Sequence, residues 1–164
     1  MKFVSMMISM VMLLGGGYAM AMDGHAGHNP ALKINGMVMA FKSKTDKPPK
    51  DPSRIKTFVL DVESFDHEIL PGVKTEVWGF KPEGGKPSVP GPEIRVREGD
   101  YVRIVLKNTH ALPHTVHAHG ADTPFDMDGA ETTQEEGIPN GETYIYEFYA
   151  RVPGTHWYHC HYQT

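Results

Sequence analysis

Apolar residues recur at every second position in short runs, and the turn residues fall between those runs. Residues 55–60, 75–80, 93–98, 101–107, 143–148 and 155–161 each read as a strand. Pro90-Gly91-Pro92, Gly99-Asp100 and Pro153-Gly154 punctuate them, and a long turn-rich stretch precedes residue 143. Beyond the N-terminus no apolar run has helical spacing, and no internal repeat stands out. Strands this short and this regularly spaced predict an all-β chain folded as a sandwich or barrel. The 17 Gly and 13 Pro agree with many turns.

The N-terminus breaks the pattern. Lys2 precedes an apolar run over residues 3–14, Gly15-Gly16-Gly17 ends it, and Ala19-Met20-Ala21 offers a small-residue cleavage site. The run is short for a membrane span, which needs about 20 residues. Residues 1–21 therefore read as a signal peptide cut after Ala21, and the protein as periplasmic or secreted. No twin-Arg pair precedes the run, which points to the general secretory route. Residues 22–53 read as a flexible lead-in carrying His25, His28, Met37, Met39 and a Lys/Pro-rich stretch. Its Met and His are ligand types that copper accepts, but nothing in their spacing requires that role. The strand-rich domain then occupies residues 54–164.

A formal charge of −4 is too mild to call for nucleic acid or a strongly basic membrane patch. Ten His against a single Cys changes the picture more. The chemistry concentrates in Pro113-His114-Thr115-Val116-His117-Ala118-His119-Gly120 and in Gly154-Thr155-His156-Trp157-Tyr158-His159-Cys160-His161. In an extended strand, residues two apart share a face and neighbours oppose. His117 and His119 therefore share one side, with His114 on the other; His159 and His161 share a side, with Cys160 facing away. Were the two segments neighbours, four imidazoles would meet on one face, and His114 and Cys160 on the other. Imidazoles suit copper and zinc, and a thiolate with two imidazoles and a weak axial Met makes a blue-copper site. A zinc site would suit this two-faced arrangement poorly.

These motifs resemble the multicopper oxidase family. The family carries a His-x-His-Gly element, a later Asp-Gly and a terminal Gly-Thr-x-x-Tyr-His-x-His. They correspond to His117-Ala118-His119-Gly120, Asp128-Gly129 and the segment ending at His161. Thr133-Gln134, Gly141-Glu142-Thr143-Tyr144 and the stretch from Val89 to Asp100 are similar as well. The resemblance implies a cupredoxin-like (plastocyanin-like) Greek-key β-sandwich. It implies an enzyme that couples one-electron oxidation of a donor, a phenol or a metal ion, to reduction of dioxygen to water. By the same resemblance, His117 corresponds to a type 2 copper ligand and His119, His159 and His161 to type 3 ligands. His114 and Cys160 correspond to the type 1 site, and Asp128 to a proton-relaying acid, although Asp-Gly is also an ordinary turn pair.

Cys160 in a first domain is similar to one class of two-domain oxidases, which resemble a homotrimer sharing its trinuclear cluster between subunits. Ala118 stands where an aromatic residue is usual. His156 shares the parity of Cys160 and reads as a core or supporting residue rather than a ligand. Only Tyr162-Gln163-Thr164 follow His161, whereas the family's blue site takes another His and usually a Met after the Cys. The expectation is an N-terminal domain that is C-terminally incomplete and inactive by itself. Two other readings stay open. A copper nitrite reductase-like enzyme would normally lack the second His after the Cys. A cupredoxin electron carrier would leave the four His superfluous.

Overall fold

The computed structural model describes residues 46–163 except 132 and 135, together with the backbone of three short N-terminal strands. In chain order the strands are β1 (Phe3–Met6), β2 (Leu32–Ile34), β3 (Met37–Met39), β4 (Ile55–Leu70), β5 (Val73–Pro82), β6 (Ile94–Arg97), β7 (Tyr101–Lys107), β8 (His117–His119), β9 (Thr143–Tyr149) and β10 (Gly154–His159). Two single-turn 3-10 helices, Pro52–Arg54 and Phe125–Met127, are the only helices among the described residues.

Two four-stranded sheets form the body, in the orders β5-β4-β7-β9 and β6-β1-β10-β8, and β2 and β3 make a separate hairpin. Alternation explains how the sheets meet. In β7, Val102, Ile104 and Leu106 are buried while Arg103 and Lys107 face outward; in β6, Ile94 and Val96 are buried between exposed arginines. Leu60, Tyr146 and Phe148 join them from the first sheet, and Ala118 and Tyr158 from the second. Each Val, Leu, Ile or Phe side chain so withdrawn from water contributes about 1.5–3 kcal/mol. On the outer face, Arg103 lies directly opposite Glu147 and bonds it at 2.6–2.7 Å. The all-β sandwich expected from the periodicity is the fold observed.

The first long strand is more extended than its pattern predicts. The strand read from the sequence ends at Leu60, yet β4 continues to Leu70 and returns as β5 through a turn at Gly72. β7 pairs with β4 only from Ile55 to Leu60. Beyond that point no third strand among the described residues pairs with β4, so Glu63, Asp66 and Glu68 can occupy it with their charges exposed, while the more enclosed Asp61 accepts from Thr109.

Most of the expected leader, including the cleavage position after Ala21, lies outside the described residues, as does much of the 22–53 lead-in. Within the described part, β1 runs between β6 (antiparallel) and β10 (parallel). The lead-in is fastened where it reaches the sandwich: Arg151 bonds the Asp46 carboxylate at 2.5 and 2.6 Å, and Tyr101 donates to the Asp46 carbonyl at 2.9 Å.

Candidate metal centre

The site is assembled where β8 and β10 pair. Their antiparallel register sets Trp157 opposite His119, Tyr158 opposite Ala118 and His159 opposite His117. Tyr158 and Ala118 point into the core, so the histidines emerge on the outer face of that sheet. Ring centroids there are 5.2 Å apart for His117–His119, 5.2 Å for His117–His159, 5.3 Å for His117–His161 and 5.4 Å for His159–His161. Trp157 stacks against both His119 and His159, at 4.6 and 4.4 Å. Ala118, at the position where an aromatic residue is usual, faces the core and therefore does not border the imidazole cluster.

His114 and Cys160 meet on the opposite side. A mutual backbone pair with Ile138 holds His114, and its Nδ1 lies 3.5 Å from Cys160 Sγ. Thr115 ties the two segments together: its N–H donates to Sγ at 3.4 Å, and its Oγ1 accepts from the His161 N–H at 3.0 Å. His156 bonds the Val152 carbonyl at 3.0 Å through Nε2.

Hydrogen bonds at Nδ1 orient two of these imidazoles. His159 Nδ1–H donates to the Cys160 carbonyl at 2.7 Å, which leaves Nε2 without a proton. That Nε2 and His161 Nδ1 are buried and have no hydrogen-bond partner. A buried nitrogen without a partner costs about 1–3 kcal/mol, so two in one cluster mark a place shaped for something else. His117 Nδ1–H donates to the Asp128 carbonyl at 2.6 Å, with the Asp128 carboxylate 3.4 Å away. The sequence suggested a role for the Asp128 carboxylate; the nearer contact is its backbone. Thr123 Oγ1–H steadies that carboxylate at 3.2 Å.

The charges follow from these contacts. The Asp128 carboxylate, then burial and the Asp128 carbonyl acting in opposite senses, set His117, with a net rise above the usual imidazole range; His117 in turn holds Asp128 below the usual carboxylate range. Burial lowers His159 and raises the Cys160 thiol. Burial, then His110, takes His114 down to about 4.

This last shift predicts acid sensitivity in the metal-free chain. With a folded-state pKa below the unfolded one, His114 is neutral in the fold, and protons bind the unfolded chain first as pH falls below 6.5. A fall from 6.5 to about 4 costs about 3 kcal/mol of stability by pH 4. His159 and His110 act in the same direction and Asp128 does so at lower pH, whereas His117 stabilises on the acid side. Urea unfolding at pH 7 and pH 4.5 measures the net effect, and His114→Gln should reduce the difference.

Among the described residues, no three His, Cys, Asp or Glu side chains gather around one point as a single ion would need. Two residues near the site escaped the sequence reading. Trp78 packs against His114 at 5.7 Å, and His110 bonds it at 2.8 Å. Neither lies in a motif or shares a strand period with the site, so only a three-dimensional fold could place them.

Residues 61–164 match the sequence profile of a family described as multicopper oxidase. The chain is 41% identical over 73 residues to a copper resistance protein A homolog of Pseudomonas syringae pv. tomato, covering 44% of this chain and 12% of that protein. It is 35% identical over 105 residues to a probable nitrite reductase-hydroxylamine oxidoreductase fusion protein of Kuenenia stuttgartiensis, covering 62% of this chain and 12% of that protein. Among solved structures, a multi-copper oxidase from Pseudomonas thermotolerans superposes with a TM-score of 0.55 at 32% identity, over 67% of this chain and 26% of that one. The chain thus spans a small part of the length of these relatives.

Proposed function

Since the chain belongs to the multicopper oxidase family, with copper as its cofactor and a cupredoxin-like fold, we propose that it supplies two ligands of the type 1 site and half of the trinuclear cluster of an exported oxidase. The observation that carries this reading is the pair of buried, unpartnered nitrogens, His159 Nε2 and His161 Nδ1, within a group of four imidazoles. The donor set fits copper, which accepts both imidazole and thiolate.

In this reading His117 holds type 2 copper, His119, His159 and His161 hold type 3 copper, and His114 with Cys160 holds type 1 copper. Bound copper would supply the one-electron chemistry that links oxidation of a donor, a phenol or a metal ion, to reduction of dioxygen to water. The chain's own residues do the rest. Cys160 lies on the core side, with His159 and His161 as its covalent neighbours, so the backbone joins the two sites by the shortest possible route. The Asp128 carbonyl fixes the His117 ring with Nε2 free, and the ionised Asp128 carboxylate holds a proton acceptor at the cluster's edge. Trp157 braces the ring planes of His119 and His159.

Donors on an outward face, with no three around one point among the described residues, favour a cluster completed by another surface. We place it between the subunits of a homotrimer. Export to the periplasm, or secretion, agrees with the apolar N-terminus. Cleavage after Ala21 would remove β1 and leave the facing edges of β6 and β10 to another strand.

The test is a His159→Ala/His161→Ala double variant of the complete, copper-loaded protein. Dioxygen uptake with a phenolic donor should fall to background, and the blue absorption should persist. Oxygen turnover at the wild-type rate would refute the assignment. A nitrite reductase-like reading draws on the name of the Kuenenia relative. It gives His161 no ligand role, and nitrite reduction that survives loss of His161 would favour it.

A further inference from the structure

The β4–β5 extension has a consequence at the Cys160 side of the centre. It carries Ser64 and Trp78, which lie opposite each other in the hairpin register. Between them and His114 sits the half-buried His110. Its ring packs on Trp78 with centroids 5.0 Å apart. Its Nδ1 lies 2.8 Å from His114 Nε2, and its Nε2 lies 3.3 Å from Ser64 Oγ.

Two imidazole nitrogens 2.8 Å apart cannot both present lone pairs, so one of them carries the shared proton. The surroundings decide which. The Leu112 N–H also points at His110 Nδ1, at 3.4 Å, and an N–H directs itself at an acceptor. His110 Nδ1 is therefore the acceptor, and its own proton sits on Nε2, directed at Ser64 Oγ. His114 must then carry its proton on Nε2. That leaves His114 Nδ1 bare, 3.5 Å from Cys160 Sγ. The loop holding His110 is itself pinned. Buried Asn108 accepts from the His110 N–H at 3.0 Å and donates to the Leu112 and Ile138 carbonyls at 2.8 and 2.7 Å. Asn140 donates to the Thr109 and His110 carbonyls, both at 2.9 Å.

We propose that His110 is a positioning residue for the Cys160–His114 site: by accepting from His114 Nε2–H, it locks His114 in the tautomer whose bare Nδ1 faces the sulfur. Its consequence for copper rests on the reading proposed above; the tautomer does not. A partner on the far nitrogen of a metal-binding imidazole sets both ring orientation and basicity, and losing such a partner typically weakens metal binding about 10–100-fold. Packing on Trp78 alone would not require an acceptor at Nδ1. The comparison of His110→Leu, which keeps bulk and loses the acceptor, with His110→Asn, whose Oδ1 can replace it, separates the two roles.

Two measurements test the proposal. The first is nitrogen NMR of the His114 ring in the metal-free chain. Wild type and His110→Asn should show the single Nε2–H tautomer, and His110→Leu a mixture of the two. A wild-type His114 protonated on Nδ1, or an unaltered tautomer in His110→Leu, overturns the proposal. The second is copper affinity in the complete protein, followed through the Cys160 thiolate absorption. It should weaken about 10–100-fold in His110→Leu and stay near wild type in His110→Asn. Undiminished affinity in His110→Leu overturns the positioning role, and should that variant fail to fold, equal weakening in His110→Asn does so. If the tautomers behave as stated and even wild type binds no copper through Cys160, the copper reading falls and the tautomer assignment stands.

Discussion

Replacing Cys160 with serine in the complete, copper-loaded protein is expected to abolish the blue absorption and bring donor-driven oxygen reduction to background, with most copper on the imidazole face retained. The absorption arises from a thiolate bound to copper, and a serine hydroxyl supplies neither the soft donor nor the charge. Burial raises the Cys160 thiol, so the metal-free chain holds it protonated and metal binding must release that proton. Copper uptake at this site should therefore strengthen as pH rises. Serine preserves the local shape, and its oxygen can still accept from the Thr115 N–H that now reaches the sulfur at 3.4 Å. His117, His119, His159 and His161 lie on the other side of the strands, and their centroid spacings of 5.2–6.0 Å owe nothing to the sulfur. Visible absorption, copper content and oxygen uptake on one sample check the result. Wild-type turnover by Cys160→Ser would refute the electron-accepting role, and loss of all copper would show that the two sites are not separable.

The second large effect is structural. Gly129→Ala should destabilise the chain by about 3–5 kcal/mol, combining positive-φ strain with overpacking. Gly129 has φ +69°, and an added Cβ would sit 2.1 Å from the Val116 carbonyl oxygen and 3.1 Å from the His117 amide nitrogen. Both neighbours are backbone of the segment entering β8, so neither can rotate away. Relief would separate Asp128 from His117 and break the 2.6 Å bond that orients this imidazole. Gly141→Ala is the control: φ is +83° and nothing lies within 4 Å of the added Cβ, so only the strain of about 1 kcal/mol remains. Urea unfolding of both variants decides the matter; equal losses would show that the close approach contributes nothing.

That pair of glycines also shows how far the sequence could be read. Asp128-Gly129 was visible as a turn or as a family motif. That its glycine lies against β8 was not, because nothing local distinguishes it from Gly141. The end of β4 was missed for a related reason. Alternation reveals a strand only where one face is buried, and past Val62 no residue of β4 is fully buried. His110 was passed over because its significance is a single contact to His114 across a loop, with no period to announce it.

By itself, the sequence determined the β architecture and the division of the site residues between two faces. Both follow from the two-residue repeat of an extended strand, which is a local property: His117 with His119, His159 with His161, and Cys160 turned away from its neighbours. Tertiary structure alone decided that β8 and β10 are paired, with His159 opposite His117. It likewise decided that the Asp128 carbonyl accepts a hydrogen bond from His117 Nδ1–H, and that Trp78 and His110 close around His114. Register, loop path and hydrogen-bond direction depend on residues distant in the chain that must share one core, and no repeat along the chain encodes them.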